Sequence, residues 1–381
     1  MTANDLICIK NAHIITATGA EYENGSVLIG GGKIISVSSG ENIAVPAEAG
    51  IFDAGGKYLI PGLIDAHTHV GICEEIYNSY GEDTNEMTDP ITPHLRALDA
   101  INHEDLGFAD AVRGGVTAVA VAPGSANVLC GEIAVLKTAG GSVDEMLIKE
   151  PAAMKAAFGE NPKGVYGAEK KTPMTRMATA ALMRETLVKA GNYERGESKD
   201  RDLKMESLTG VLSGRLPLHA HAHRADDILT AMRIAKEFDL KLVIVHGTDG
   251  HKIAPLLADN DIQVISGPLF TSRAKVEMKD VSFESPGIMS AHGVKVSLCT
   301  DHPVIPINYL LLCAALAHRA GMSASAALAA VTINPATLLG VDNRIGSIEE
   351  GKDADLVIIE GYPLSTEAKI EKVMMSGVWR F

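Results

Sequence analysis

The chain has 381 residues, 46% of them hydrophobic and 22% charged, enough for one large domain and a smaller one. A net charge of -14 argues against nucleic acid or anionic membrane as main partners, and no apolar run approaches the ~18 residues of a membrane span. The N-terminus lacks a basic lead before a cleavable apolar core, so no signal peptide is expected, and five scattered cysteines without a C-x-x-C pair read as reduced thiols of a cytoplasmic protein.

Residues 1–58 read as short strands separated by glycine turns: LICIKNAHIIT, GSVLIGGGKIISVS and AGIFDAGGKYLI. GGGK at 30–33 precedes Ile34, where a phosphate loop requires Ser or Thr, so it reads as a hairpin turn. Next, LIPGLIDAHTHVGI (59–72) runs an apolar strand into His67 and His69, with Asp65 ahead of them. Alternate strand positions share a face, so these imidazoles point the same way, roughly 6.5–7 Å apart. Two readings fit: a pair converging on one metal ion, or a hydrogen-bonded pair at a strand end.

A polar, acidic loop, CEEIYNSYGEDTNEMTDP (73–90), follows as a candidate lid. A helix is expected from Thr92 to Arg113, with Pro93 in its first turn and Gly114 closing it. Seven further apolar strands then come in order: VTAVAVAP (116–123), EIAVLKTA (132–139), AAMKAAFGE (152–160), RLPLHAHAH (215–223), KLVIVHG (241–247), IQVISGP (262–268) and VKVSLCTDH (294–302). Helical patterns such as RADDILTAMRIAKEF and GHKIAPLLADN follow most of them, although no convincing helix links strands two and four. Gly191–Glu206 reads as a polar surface connection, and YLLLCAALA (309–317) as a buried helix segment. Eight β-then-α units of mostly parallel character predict a (β/α)8 barrel over residues 59–340. Residues 341–381 return to strands and turns, which with residues 1–58 predicts a small β-sandwich domain made from both termini.

In such a barrel the active site lies at the C-terminal strand ends. There the chain carries His67 and His69 on strand one, Lys155 on strand four, His219, His221 and His223 on strand five, His246 on strand six, and Asp301 with His302 on strand eight. Any one of these is compatible with a satisfied core residue. Their recurrence at one end of five strands points to a metal site. Lys155 adds an independent argument: inside AAMKAAFGEN an unpaired ammonium costs several kcal/mol, so a buried lysine loses its proton and can take up CO₂ as a carbamate. The competing readings are that Lys155 faces outward or pairs with Glu160, with Lys137 and Glu132 as rival third ligands.

PGLIDAHTH, the strand-end HAH, VIVHG, LCTDHP and the tail INPATLLGVDNRIGSIEEGKDADLVIIEG resemble the amidohydrolase superfamily of metal-dependent hydrolases, nearest to its imidazolonepropionase-related and Xaa-Pro-dipeptidase-like members. The resemblance runs the length of the chain and is poorly specific for substrate. It implies that His67, His69 and Asp301 hold one divalent ion, that a strand-five histidine and His246 hold a second, and that a carboxylated lysine or a glutamate bridges the two. His221 matches the superfamily's His-Ala-x-x-Ala-x-x-Ile best. All three strand-five histidines share one parity, so periodicity leaves His219 and His223 open, the outermost, His223, as a substrate contact.

Such an ion, Zn²⁺ first with Mn²⁺, Fe²⁺ or Co²⁺ as alternatives, lowers the pKa of bound water from 15.7 to about 7. Asp301 is then the general base and acid that moves the proton to the leaving nitrogen. Arg176 or Arg273 is a candidate clamp for a substrate carboxylate, and His302 a candidate pocket residue. The implied enzyme hydrolyses a carbon–nitrogen bond of a small cyclic amide or dipeptide-like amide, and a homo-oligomer is expected. A deaminase with one metal ion and a non-catalytic scaffold are the alternatives.

Overall fold

The two ends of the chain pair with each other and leave the middle to close on itself. In the computed structural model, which describes residues 6–40, 45–76, 80–196 and 200–381, five strands come first: β1 (Ile7–Ile15), β2 (Glu21–Gly30), β3 (Lys33–Ser39), β4 (Gly50–Asp53) and β5 (Tyr58–Pro61). The middle contributes β6 (Leu63–Thr68), β7 (Val116–Val121), β8 (Leu129–Lys137), β9 (Leu147–Ala157), β10 (Leu218–Ala222), β11 (Leu242–His246), β12 (Gln263–Ser266) and β13 (Val296–Leu298). The C-terminal part adds β14 (Leu356–Glu360), β15 (Lys369–Met375) and β16 (Val378–Trp379). The candidate lid and the polar connection each extend beyond the described residues, at 77–79 and 197–199.

The terminal strands form a sheet in the order β16-β15-β14-β5-β1-β2-β3, with β4 beside β1. Antiparallel pairing of β5 with β14 joins the two ends of the chain, and Ile9, Ile14, Val27, Leu59, Leu356 and Ile358 supply a core of their own. The glycine-rich turn is the expected hairpin: Gly31 and Gly32 have φ of 59° and 77°, the left-handed backbone a two-residue type I′ turn requires.

The middle strands form a second eight-stranded sheet, in sequence order from β6 to β13, nearly closed into the expected barrel. Side-chain alternation sorts its two faces. Met154, Ala156, Leu218, Ala220 and Ala222 pack outward in the large core, so Lys155, His219 and His221 turn inward with Ala153, Val243 and Val245.

Two expectations give way. First, the third strand is antiparallel to both neighbours, because only residues 122–128 join β7 to β8, too short for a crossover helix. This reversal carries Lys137 to the N-terminal face, where its buried ammonium binds Asp355 and lies 3.1 Å from Asp353. Glu132 pairs in register with Met154 and so turns out of the barrel. Neither rival ligand reaches the site. Breaking one partner of a buried pair costs about 3–5 kcal/mol. Lys137→Ala should therefore lower stability in urea unfolding by that order and leave metal content unchanged.

Second, the Thr92–Arg113 helix is realised only over Leu106–Arg113, preceded by a 3-10 turn at Ala97–Ala100. Upstream, the chain pairs with β8 instead, through Thr92 N–H to Leu129 O and Glu132 N–H to Leu95 O, and that pairing outcompetes the helical pattern. Asp105 caps the shortened helix by accepting from Gly107 N–H. Among the described residues no helix is long and apolar enough to cross a membrane; YLLLCAALA lies largely within the buried helix Leu310–Arg319.

Candidate metal centre

β6 brings His67 and His69 to the C-terminal rim, and Asp65 explains how Asp301 comes to meet them. The Asp65 carboxylate accepts from Thr300 N–H and, at 2.5 Å, from the Thr300 hydroxyl, tying β6 to the loop after β13. Burial pushes the Asp65 carboxyl up to about 7 against those bonds. Asp301 Oδ1 then lies 3.4 Å from His69 Nε2 and 3.6 Å from His67 Nε2. His69 Nδ1 is 2.7 Å from Ala122 O, a bond that fixes the proton there and leaves Nε2 as a lone pair facing Asp301.

A second group, His221, His223 and His246, lies beside the first; in each trio the potential ligand atoms fall within 4.8 Å of one another. His246 Nδ1 is held at 2.7 Å by Gly267 O and His223 Nδ1 at 2.8 Å by Thr248 Oγ1, so both present Nε2 inward. The rings of His67 and His246 are 5.6 Å apart, which makes the two trios one centre. Burial lowers the pKa of His67, His221 and His246 well below the usual histidine value and that of His223 to about 4, keeping these imidazoles neutral, as metal ligation requires. The Asp301 carboxyl, despite burial, is held well below its usual value by His246 and His69.

Lys155 is 1% exposed, with Nζ 2.9 Å from His67 Nε2; it neither faces outward nor pairs with Glu160. Burial lowers its pKa to about 8. Backbone strain gathers here too. His246 and Asp301 have φ of 76° and 54°, in the left-handed region that costs non-glycine residues about 1–3 kcal/mol. His67 Nδ1, His221 Nδ1 and Glu277 Oε1 are buried without a hydrogen-bond partner among the described residues. A histidine-rich donor set with orphaned buried atoms fits divalent metal ions.

The remaining candidates fall elsewhere. His219 lies deeper on β10, in register with Lys155, and both its ring nitrogens lack partners among the described residues. Arg176 donates Nε to both oxygens of Asp227, at 2.9 and 3.1 Å. Arg273 is exposed and donates to Lys279 O, which takes it out of the cluster. His302 is buried with Nε2 3.5 Å from Glu75, beside Gly107 at the start of the Leu106–Arg113 helix. A cavity of about 730 Å³ lies by Val294–Val296 at the N-terminal end of β13 and is lined by none of the clustered residues. One residue is new: Glu277, 1% exposed, beyond β12 in the short 3-10 turn Val276–Met278, which gives no strand-like periodic signal.

An inward-facing cluster of histidines and one aspartate at the C-terminal rim of such a barrel defines a hydrolase able to hold divalent metal. The amidohydrolase family profile matches residues 274–380. A solved amidohydrolase from Thermotoga maritima MSB8 is 45% identical, with a TM-score of 0.94 over 98% of this chain and 99% of that one. The chain belongs to the amidohydrolase superfamily. It is also similar to amidohydrolase tasK of Hapsidospora irregularis, 29% identical over 94% of this chain but only 40% of that longer protein. An imidazolonepropionase from Symbiobacterium thermophilum is 23% identical over 93% of this chain and 91% of that protein.

Proposed function

We propose that the protein hydrolyses a carbon–nitrogen bond in a small cyclic amide or dipeptide-like amide at a centre of two zinc ions. The observation that carries this reading is the pair of donor trios, His67/His69/Asp301 and His221/His223/His246, with Lys155 against His67. The first trio would hold one ion and the second the other, with His221 and His246 as its principal ligands and a carboxylated Lys155 bridging. Bound ions of this kind lower the pKa of water to about 7 and polarise the scissile carbonyl. The likeness to imidazolonepropionase supports a cyclic amide as substrate.

The chain's own residues divide the remaining work. His69 and Asp301 have side chains 15% and 14% exposed, whereas those of His67, His221 and His223 are nearly closed off, so substrate approaches along the His69–Asp301 edge. Asp301, ionised and oriented by Thr300 through Asp65, takes the proton of the attacking water and hands it to the leaving nitrogen. All five cysteines are free, which fits a reducing compartment, and we place the enzyme in the cytoplasm.

Purified, zinc-loaded protein should contain about two equivalents of metal, and His246→Ala about one. Metal analysis decides between this reading and a deaminase, for which wild-type protein would hold a single ion. Assaying N-acyl amino acids, dipeptides and cyclic ureides then identifies the substrate; turnover of none of them by protein holding two ions would sink the amide-hydrolase assignment.

A further inference from the structure

We infer that Glu277 is the carboxylate ligand of the ion gathered by His221, His223 and His246, an inference that rests on the two-ion reading above. Its Oε1 lies 3.6 Å from His221 Nε2 and 3.8 Å from His223 Nε2. Zinc also takes five ligands, and adjacent ligands about 2.1 Å from such an ion stand about 3.0–3.6 Å apart, so these separations need at most a contraction of several tenths of an ångström. The carboxylate is also built into position. Oε2 accepts from Glu160 N–H at 3.0 Å, which leaves the lone pairs of Oε1 free for a metal ion. Gly159 gives it room: φ there is 83°, and a Cβ would come within 2.7 Å of Oε2.

Nothing described satisfies Oε1. Lys275 Nζ is 3.9 Å away, beyond hydrogen-bond reach, and the Glu277 side chain is 0% exposed, shut off from bulk solvent. A buried acceptor with no donor is costly, and a dication among neutral imidazoles is equally short of compensating charge. One ion at this point answers both deficits. Asn161, whose Nδ2 lies 3.5 Å from His221 Nε2, borders the same space.

The test uses full-length protein and zinc alone. Competition with a chromophoric chelator should show two sites in wild type, and in Glu277→Gln a weakening of one site by about 100-fold or more with the other unchanged. Thermal melts supply a second reading: the metal-free variant should melt no lower than metal-free wild type, yet lose most of the shift that saturating zinc gives the wild type. A zinc-bound crystal structure of the wild type, independent of any variant, should place Oε1 about 2.0–2.2 Å from an anomalous peak. Two zinc sites with Oε1 beyond about 3 Å, or equal affinities in Glu277→Gln, would overturn the inference and leave the two-ion centre standing. Wild type that binds fewer than two ions overturns the centre itself.

Discussion

Asp301→Asn should cost about 100- to 10,000-fold in kcat, the span expected when a positioned acid–base group is lost. Asparagine keeps the shape and an acceptor oxygen toward His67 and His69, so the fold and the loop tied to Asp65 should survive. It cannot take a proton from water and return it to nitrogen. In free-energy terms the loss is about 2.7–5.5 kcal/mol of barrier. The measurement is steady-state kinetics on protein of known metal content, since Asp301 is also a proposed ligand. If the Asp301→Asn variant with full metal keeps more than about a tenth of wild-type kcat, Asp301 is not the proton carrier. Should metal be lost in step with activity, the ligand role accounts for the whole effect. Raising zinc until occupancy is restored separates the two.

The legible part of this site was the part written in strand periodicity. His67 with His69, and His221 with Lys155 one strand away, follow from alternation on strands whose other positions are apolar, and the structure turns those residues inward. Where direction reversed, the same reasoning lost its footing. EIAVLKTA reads as an apolar strand whichever way it runs, so only the short link at 122–128 could have shown that Lys137 sits at the opposite end from Lys155. Thr92–Arg113 failed for a related reason. Its apolar spacing suits a helix, but the partner that takes its backbone hydrogen bonds, β8, lies some 35 residues ahead in the chain.

Residues beyond the strand ends were the hardest to read. Glu277, in the 3-10 turn Val276–Met278, and Asn161, in the first turn of the helix Glu160–Ala168, owe their places to the chain path after β12 and β9, where no strand alternation constrains a side chain. His223 shares its parity with His219 and His221, and nothing in periodicity could seat it beside His246. Its ring stacks on that of His246 at 4.6 Å because Thr248 anchors Nδ1, a tertiary contact. The left-handed backbone at His246 and Asp301 is equally silent in the sequence, since neither is glycine; the Asp65–Thr300 clasp helps hold the loop that carries Asp301.

Lys155→Met tests the centre from its buried side, and the expected result has two halves of opposite sign. Metal content should drop from about two equivalents to about one, with activity down at least about 100-fold, because the bridge between the trios is gone. Stability of the metal-free protein should not drop. Lys155 is 1% exposed with no carboxylate within ion-pair distance among the described residues, and burial, outweighing the opposing pull of Cys130 and Asp301, depresses its pKa to about 8, so its amine is a cost the fold carries for function. Methionine of similar length removes that cost, and the metal-free variant should melt at or above metal-free wild type. Lys137→Ala provides the contrast: another buried lysine, bound to Asp355 and Asp353, whose removal should destabilise the fold and spare the metal. Carboxylation adds a chemical check. The neutral amine attacks CO₂, an N–C bond forms and a proton leaves, so wild type reconstituted with ¹³C-bicarbonate should show a carbamate resonance that Lys155→Met lacks. A variant that keeps both ions, or that unfolds as easily as the Lys137 variant, would place Lys155 among the structural ion pairs and leave the two trios without a bridge.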